Sequence, residues 1–252
     1  MSVIKKINQS RYNFKKYLEN EWDVSTISDY SDQEIEQLYS MKVPTGSDSI
    51  SFGYASSCNF TVRHKLLEKH SLHVIYYNFP ELNRNPLKIT KNICDKISNL
   101  YKSEIISNED SVIIITYEDI TEGLQKSIEE LYSKFQEELD SYFSDDLKEE
   151  NQKLPEDKRL GIKHFKNCHI FFLDTLAINL IEHKYVPKHE IIRNKQEIGT
   201  ILKTCNCTFK QLPVIKRDDA IGKIFRIAPG DICKITRINT NSGESVYYRG
   251  CH

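Results

Sequence analysis

The chain has 252 residues, 39% of them hydrophobic and 28% charged, with a formal net charge of -1. That balance is the one of a folded globular protein and excludes disordered, collagen-like and secreted disulfide-scaffold classes. The longest apolar stretch, HIFFLDTLAINLI, is too short to span a bilayer and is interrupted by Asp174, and the opening MSVIKKINQS has no apolar signal-peptide core, so a soluble intracellular protein is expected. Seven cysteines, odd in number and scattered (Cys58, Cys94, Cys168, Cys205, Cys207, Cys233, Cys251), are expected to be reduced thiols.

Two helices are predicted to open the chain. Ile4 to Asn20 has an amphipathic mix, and Ser31 to Met41 begins Ser-Asp-Gln-Glu, the signature of a capping box. Pro44 to Ser57, rich in Gly and Ser, reads as a loop, and CNFTVRH and LHVIYYNF then carry the β-branched and aromatic content of strands. Pro86 to Tyr101 places Leu87, Ile89, Ile93, Ile97 and Leu100 at helical spacing. SVIIITYE is a continuous apolar run, as in a strand buried on both faces, and ITEGLQKSIEELYSKF is helical again. Strand, helix, strand, helix implies an α/β layer.

From Gln136 to Leu160 the composition shifts to nine acidic and four basic residues, which reads as an exposed, mobile insertion. CHIFFLDTLAINLI resumes the core pattern. Tyr185-Val186-Pro187 starts a new module, because proline forces its predecessor into extended backbone. The domain boundary is placed at Glu182, giving 1–181 as an α/β domain and 182–252 as a small mixed α/β domain. Charge follows this division: from Lys184 onward there are 13 Lys+Arg against 6 Asp+Glu, a surplus of +7, which leaves 22 against 30, or -8, before it. In the second part Ile191 to Thr204 reads as a helix, LPVIK as extended, and Asp218 to Phe225 as a short helix with Asp218 or Asp219 as N-cap. Pro229-Gly230 is a turn, ICKITRI a strand, Asn241-Ser242-Gly243 a hairpin turn and SVYYR the returning strand.

Little in the sequence carries catalytic chemistry. Cys205 and Cys207 could supply two zinc ligands, but only Cys251-His252 or the distant Cys168-His169 offer the remaining two, and structural thiols are the commoner outcome. His183 and His189 flank Pro187 and so cannot share a helical face as in an HExxH site. Phosphate-binding, dinucleotide-binding and nucleophile-elbow motifs are all missing. Asp145 and Asp146 fall in the charged insertion. CNFTVRH and LHVIYYNF contain no carboxylate with which a nuclease would hold a metal ion. No metal, cofactor or enzymatic activity of its own is expected.

The order INLIEHKYVPKHEII, LPVIKRDDAIGKIFRIAPGDICKITRI, SGESVYYR resembles the assembly domain of the fifth-largest subunit common to eukaryotic nuclear RNA polymerases, a family with archaeal members. The residues that carry it are Ile178-Asn179, Glu182-His183, Val186-Pro187, His189, Leu212-Pro213, Ile215, Asp219, Gly230-Asp231, Lys234-Ile235, Arg237, Gly243 and Tyr248-Arg249. The chain departs from the family pattern at Ala220, where a proline is usual, in the 136–160 insertion, and in its Gly250-Cys251-His252 ending.

The resemblance implies a noncatalytic subunit of a DNA-dependent RNA polymerase, with nucleotide addition left to the large subunits. The C-terminal assembly domain would dock on the largest subunit through His183, Pro187, His189, Pro213, Lys216, Arg217, Asp219, Arg237, Tyr248 and Arg249. The N-terminal part resembles the family's jaw in element order but not in motif, and would lie beside downstream double-stranded DNA without reading its sequence. Thr121 and Lys126, with Arg63 and Lys65 as neighbours, would approach the duplex, although Glu118, Asp119 and Glu122 in the same loop repel phosphate. No membrane partner is implied. Few glycines beside many Lys, Asn and Ile suggest an AT-rich genome, and the expected site of action is the virion and host cytoplasm for a large DNA virus, or the nucleus for a cell. A free-standing DNA-binding protein and a degenerate nuclease-like domain are the alternatives.

Overall fold

A computed structural model describes residues 1–41, 52–84, 88–89, 92–239 and 243–252. Most of the loop expected over 44–57, the start of the helix expected at Pro86, and Asn241 and Ser242 of the expected hairpin turn lie outside the described residues. Two compact units emerge, Met1–Leu147 with Phe165–Ile178, and Lys148–His164 with Asn179–His252. The chain leaves the first unit at residue 147, returns at 165 and leaves again at 178, a few residues before the boundary expected at 182.

In the first unit, helix α1 (Val3–Leu18) starts at Ser2, whose side chain caps the Lys5 amide, and buries Ile4, Ile7, Phe14 and Leu18 at the three- and four-residue steps of one helical face. A two-residue strand β1 (Trp22–Asp23) follows, too short to leave a periodic signal. Helix α2 (Asp32–Ser40) opens with the reciprocal Ser31–Glu34 capping box predicted from its sequence. Strands β2 (Phe60–His64) and β3 (Ser71–Tyr77), helix α3 (Asn92–Lys102), strand β4 (Ser111–Thr116) and helix α4 (Glu122–Tyr142) come next. Helix α5 (Asp145–Lys153) leads out of the unit, and strand β5 (Cys168–Phe172) with the single turn α6 (Leu173–Leu176) returns to it.

The sheet order is β1-β2-β3-β4-β5, antiparallel from β1 to β3 and parallel from β3 to β5. Every residue of β4 is buried, as its unbroken apolar run requires of a central parallel strand. One face packs Ile75, Tyr77, Val112, Ile114 and Ile170 against Ile93, Ile97 and Leu100 of α3 and Leu124, Ile128 and Leu131 of α4. On the other face, Phe14 of α1 meets Phe60 and Phe171 edge-on at 6.2 and 5.9 Å, and Ser10 and Tyr76 share a 2.8 Å hydroxyl hydrogen bond.

Most of the 136–160 stretch is exposed, as its composition suggests, but it is largely helical. Helix α4 runs on to Tyr142 because Leu131, Phe135 and Leu139, four residues apart, keep a narrow apolar stripe inward among the acids. Phe143 and Leu147 are buried as well. The rest, from Lys148 to His164, belongs to the second unit.

In the second unit, β6 (Lys188–Ile192) takes up Ile191 and Ile192, where the sequence predicts the start of a helix. The helix α7 (Lys195–Thr204) starts later, at Asn194, whose side chain accepts from the Gln196 and Glu197 amides. Strand β7 (Val214–Ile215), helix α8 (Ala220–Ile224), strand β8 (Ile232–Asn239) and strand β9 (Gly243–Cys251) complete it, with sheet order β6-β8-β9-β7. Ile201 of α7 joins Ile192, Leu212 and Ile232 on one face. The opposite face gathers Ile215, Ile227, Cys233, Ile235 and Cys251. Gly222 in α8 is dictated by space, since a Cβ there would stand 2.7 Å from the Lys216 carbonyl oxygen.

Candidate functional site

Register decides which side chains of the second unit share a surface. Cα partners across the sheet are His189 with Ile235, Ile235 with Tyr247, Arg237 with Ser245, and Cys233 with Arg249. Partnered residues and their second neighbours point to the same face. His189, Arg237, Tyr247 and Arg249 therefore lie on the face whose inner part is the Cys233–Ile235–Cys251 core. Beyond that core the face is open: Arg237 and Arg249 are exposed, Tyr247 is 49% exposed and His189 is half-buried.

These groups are held by local contacts. The Arg237 guanidinium stands 5.3 Å from the centre of the Tyr247 ring, a cation–π pair. Arg249 donates through Nη1 to the Val214 carbonyl at 3.1 Å. The His189 Nδ1 donates to the Pro187 carbonyl at 2.6 Å, across the single residue separating them. Asp219 caps α8, its Oδ1 accepting from the Ile221 and Gly222 amides at 2.9 and 3.3 Å. Burial holds the His189 imidazole below its ordinary range, while the Pro187 hydrogen bond and the Asp219 charge pull it back up and Arg237 and Arg249 push it further down.

Other residues singled out in the sequence stand elsewhere. Tyr248 faces the other side of the sheet and packs against the α7 cluster, because neighbouring strand residues point oppositely; Tyr247 is its exposed counterpart, and the motif does not point to it. Strand alternation on either side of the motif residue is the signal that could have found it. Arg217 is 9% exposed and offers a partner little surface. Pro213 and Lys216 are exposed, and their carbonyls accept from the Gly250 amide at 2.9 Å and the Asp219 amide at 3.1 Å. His183 lies in an exposed turn, its Nδ1 accepting from the Tyr185 amide at 3.4 Å. Pro187 is partly buried. Among the described residues no three His, Cys, Asp or Glu side chains are placed to hold a metal ion.

The residues expected near DNA divide between two ends of the first sheet. Thr121 is the N-cap of α4, accepting from the Leu124 amide at 3.3 Å, and Lys126 is exposed in the helix it starts. Arg63 pairs with Ser71 at the opposite, entering end of β3, and Lys65 follows it, donating to the Glu19 carbonyl at 2.6 Å. The hairpin reversal from β2 to β3 is the reason: Ser71 is level with the start of β4, and the loop bearing Thr121 follows its end, about 20 Å along six strand residues. Arg63 and Lys65 are thus not neighbours of Thr121. In that loop Glu118 accepts from the Ile89 amide at 3.3 Å and Asp119 from the Ile120 amide at 2.8 Å.

Residues 178–251 match the family described as RNA polymerase Rpb5, C-terminal domain, a span that lies within the second unit except for Ile178. The chain is 46% identical over 74 residues to the DNA-directed RNA polymerase subunit Rpo5 of Archaeoglobus fulgidus, a match covering 29% of this chain and 96% of that protein. It is 46% identical over 68 residues to the Rpo5 subunit of Nitrosopumilus maritimus, covering 27% and 81%. For the Rpo5 subunit of Sulfurisphaera tokodaii the identity is 43% over 74 residues, covering 29% and 87%. The matched segment contains both the open sheet face and the Asp219 cap beside it, and the chain belongs to the Rpb5/Rpo5 family, the auxiliary, noncatalytic subunits of DNA-directed RNA polymerase.

Proposed function

We propose that this chain is fastened into its polymerase by the open face of the second unit, docking on the largest subunit, while the first unit serves as a jaw beside the downstream duplex. The observation that carries the reading is the exposed strip of Tyr247, Arg237 and Arg249, which the unit's own core leaves uncovered. Tyrosine and arginine are the residue types that dominate binding energy at protein interfaces, where a large ring or a planar guanidinium is desolvated against a partner. Arg249 retains donors beyond the one given to Val214, so it can also take a partner carboxylate. Support for the jaw role is weaker in charge: Thr121 and Lys126 sit among carboxylates, so contact with phosphate would be sparse and independent of sequence. The place of action is that of the polymerase itself, the virion and cytoplasm for a large DNA virus or the nucleus for a cell.

The test is affinity capture of the largest subunit by the full chain carrying Tyr247→Ala and Arg249→Ala together. Capture should fall about tenfold or more, since interface anchors of this kind each contribute ~2 kcal/mol, with little change in the melting temperature. Undiminished capture refutes docking through this face. In the same polymerase, exchanging Thr121 and Lys126 for alanine should leave promoter choice unchanged and weaken retention of downstream duplex as salt rises; an altered sequence preference overturns the jaw assignment.

A further inference from the structure

The segment from Lys148 to His164 lies outside the span matching the Rpb5 family, yet it packs as part of the same unit. Its buried tie to the rest of the unit lies at its C-terminal end. His164 is largely buried, its side chain 10% exposed, and its Nε2 stands 3.1 and 3.0 Å from the two carboxylate oxygens of Asp231, which is 5% exposed. Asp231 precedes β8, at the opposite end of that strand from Asn239, and its carboxylate also accepts from the Ala228 amide at 2.9 Å and has Arg193 Nε at 3.7 Å. A second tie joins Gln196 of α7 to Glu156 at 3.0 Å. Within the segment, Asn151 makes a two-way bridge to the Leu160 backbone, at 2.8 and 3.0 Å, closing the loop on itself. The match to the Archaeoglobus protein covers 96% of that subunit, which leaves it almost no further chain from which to build such a segment.

We propose that residues 148–164 are a clasp that completes the C-terminal unit in this chain, pinned by His164 on Asp231, so that the family-matching segment alone is not the whole structural unit. Most of the segment is exposed and contributes little core, so a buried histidine–carboxylate contact at its end decides whether it is closed. Closed, it occupies the end of the sheet around Asp231. Open, it leaves that buried carboxylate with the Ala228 amide and Arg193. Opening is a local event, distinct from unfolding of either unit.

Hydrogen exchange by mass spectrometry on the full chain tests this without any partner, so its result does not depend on the docking proposal. In His164→Ala, amides of Leu160 and His164, which bond to Asn151 Oδ1 and the Gly161 carbonyl, should exchange about tenfold faster or more, the ratio that corresponds to ~1.4 kcal/mol. Peptides from β4 and α4 should keep their wild-type rates. His164→Gln, which retains an N–H donor close to the position of Nε2, should stay within about threefold of wild type. Unchanged exchange in His164→Ala overturns the proposal, and so does equal acceleration across the whole chain, which would mark His164 as an ordinary core residue.

Discussion

Asp219 tests how a five-residue helix is held in place at the edge of the open face. Its Oδ1 is the acceptor for two amides, Ile221 at 2.9 Å and Gly222 at 3.3 Å, at the start of α8. Removing an N-cap side chain costs ~1 kcal/mol, within a range of roughly 0.5 to 2. Here the upper half of that range is expected, because Ile221 and Gly222 are buried and water replaces the lost acceptor poorly. Asp219→Ala should therefore destabilise the second unit by about 1–2 kcal/mol. That unit has about ninety residues, and each kcal/mol moves the melting point of a domain this size by roughly 4–8 °C. Asp219→Asn keeps a capping oxygen and should lose less than about half as much. Calorimetry or circular dichroism of the full chain with each substitution gives the comparison. Arg249→Ala, at an exposed position bonded to the Val214 carbonyl, provides the contrast: little change in melting, reduced capture of the largest subunit. The capping account is refuted if Asn is as damaging as Ala, or if Asp219→Ala melts with the wild type.

His189 should make stability depend on pH. Its folded imidazole is held below the ordinary value of 6.5, chiefly by burial, so the unfolded chain binds the extra proton more readily just below that pH. Stability should consequently rise with pH through that window and be lost as pH falls through 6.5. Urea unfolding at pH 5.5 and 7.5 should show a smaller drop in His189→Gln than in wild type, and an identical drop would remove His189 from the account. The cysteines should separate by reactivity, since burial lifts the thiols of Cys58 and Cys233 to about 11 and that of Cys251 to about 12, whereas Cys205 is exposed. Iodoacetamide at pH 7.5 should modify Cys205 and spare those three until denaturant is added; simultaneous modification would show that the units open more readily than their packing implies.

What was legible in the sequence was whatever rests on contacts between near neighbours along the chain. The Ser31–Glu34 capping box needs only residues three apart, and the buried β4 needs only an unbroken apolar run. The family itself could be read from ordered motifs between Ile178 and Arg249, because each motif sits in a local turn, cap or strand. Local readings failed where a long-range choice decided. Acidic composition concealed the continuation of α4, since a stripe of one apolar residue per turn becomes visible only against the core it covers. Ile191 and Ile192 fit a helix or a strand equally well in isolation, and pairing of Ile191 with Cys233 and Ile192 with Ile232 in β8 made them strand. Register, which flips a side chain to the other face with each residue, placed Tyr247 rather than Tyr248 beside Arg237. Topology sent Arg63 and Lys65 to the far end of the sheet from Thr121, and tertiary packing brought His164 to Asp231 across 67 positions. The sequence by itself therefore determined the family, the composition of the core and most helix and strand types, through interactions that act over a few residues. Only the tertiary structure decided which exposed groups share a surface and which segments complete a unit, because those depend on distances between parts of the chain that no local pattern encodes.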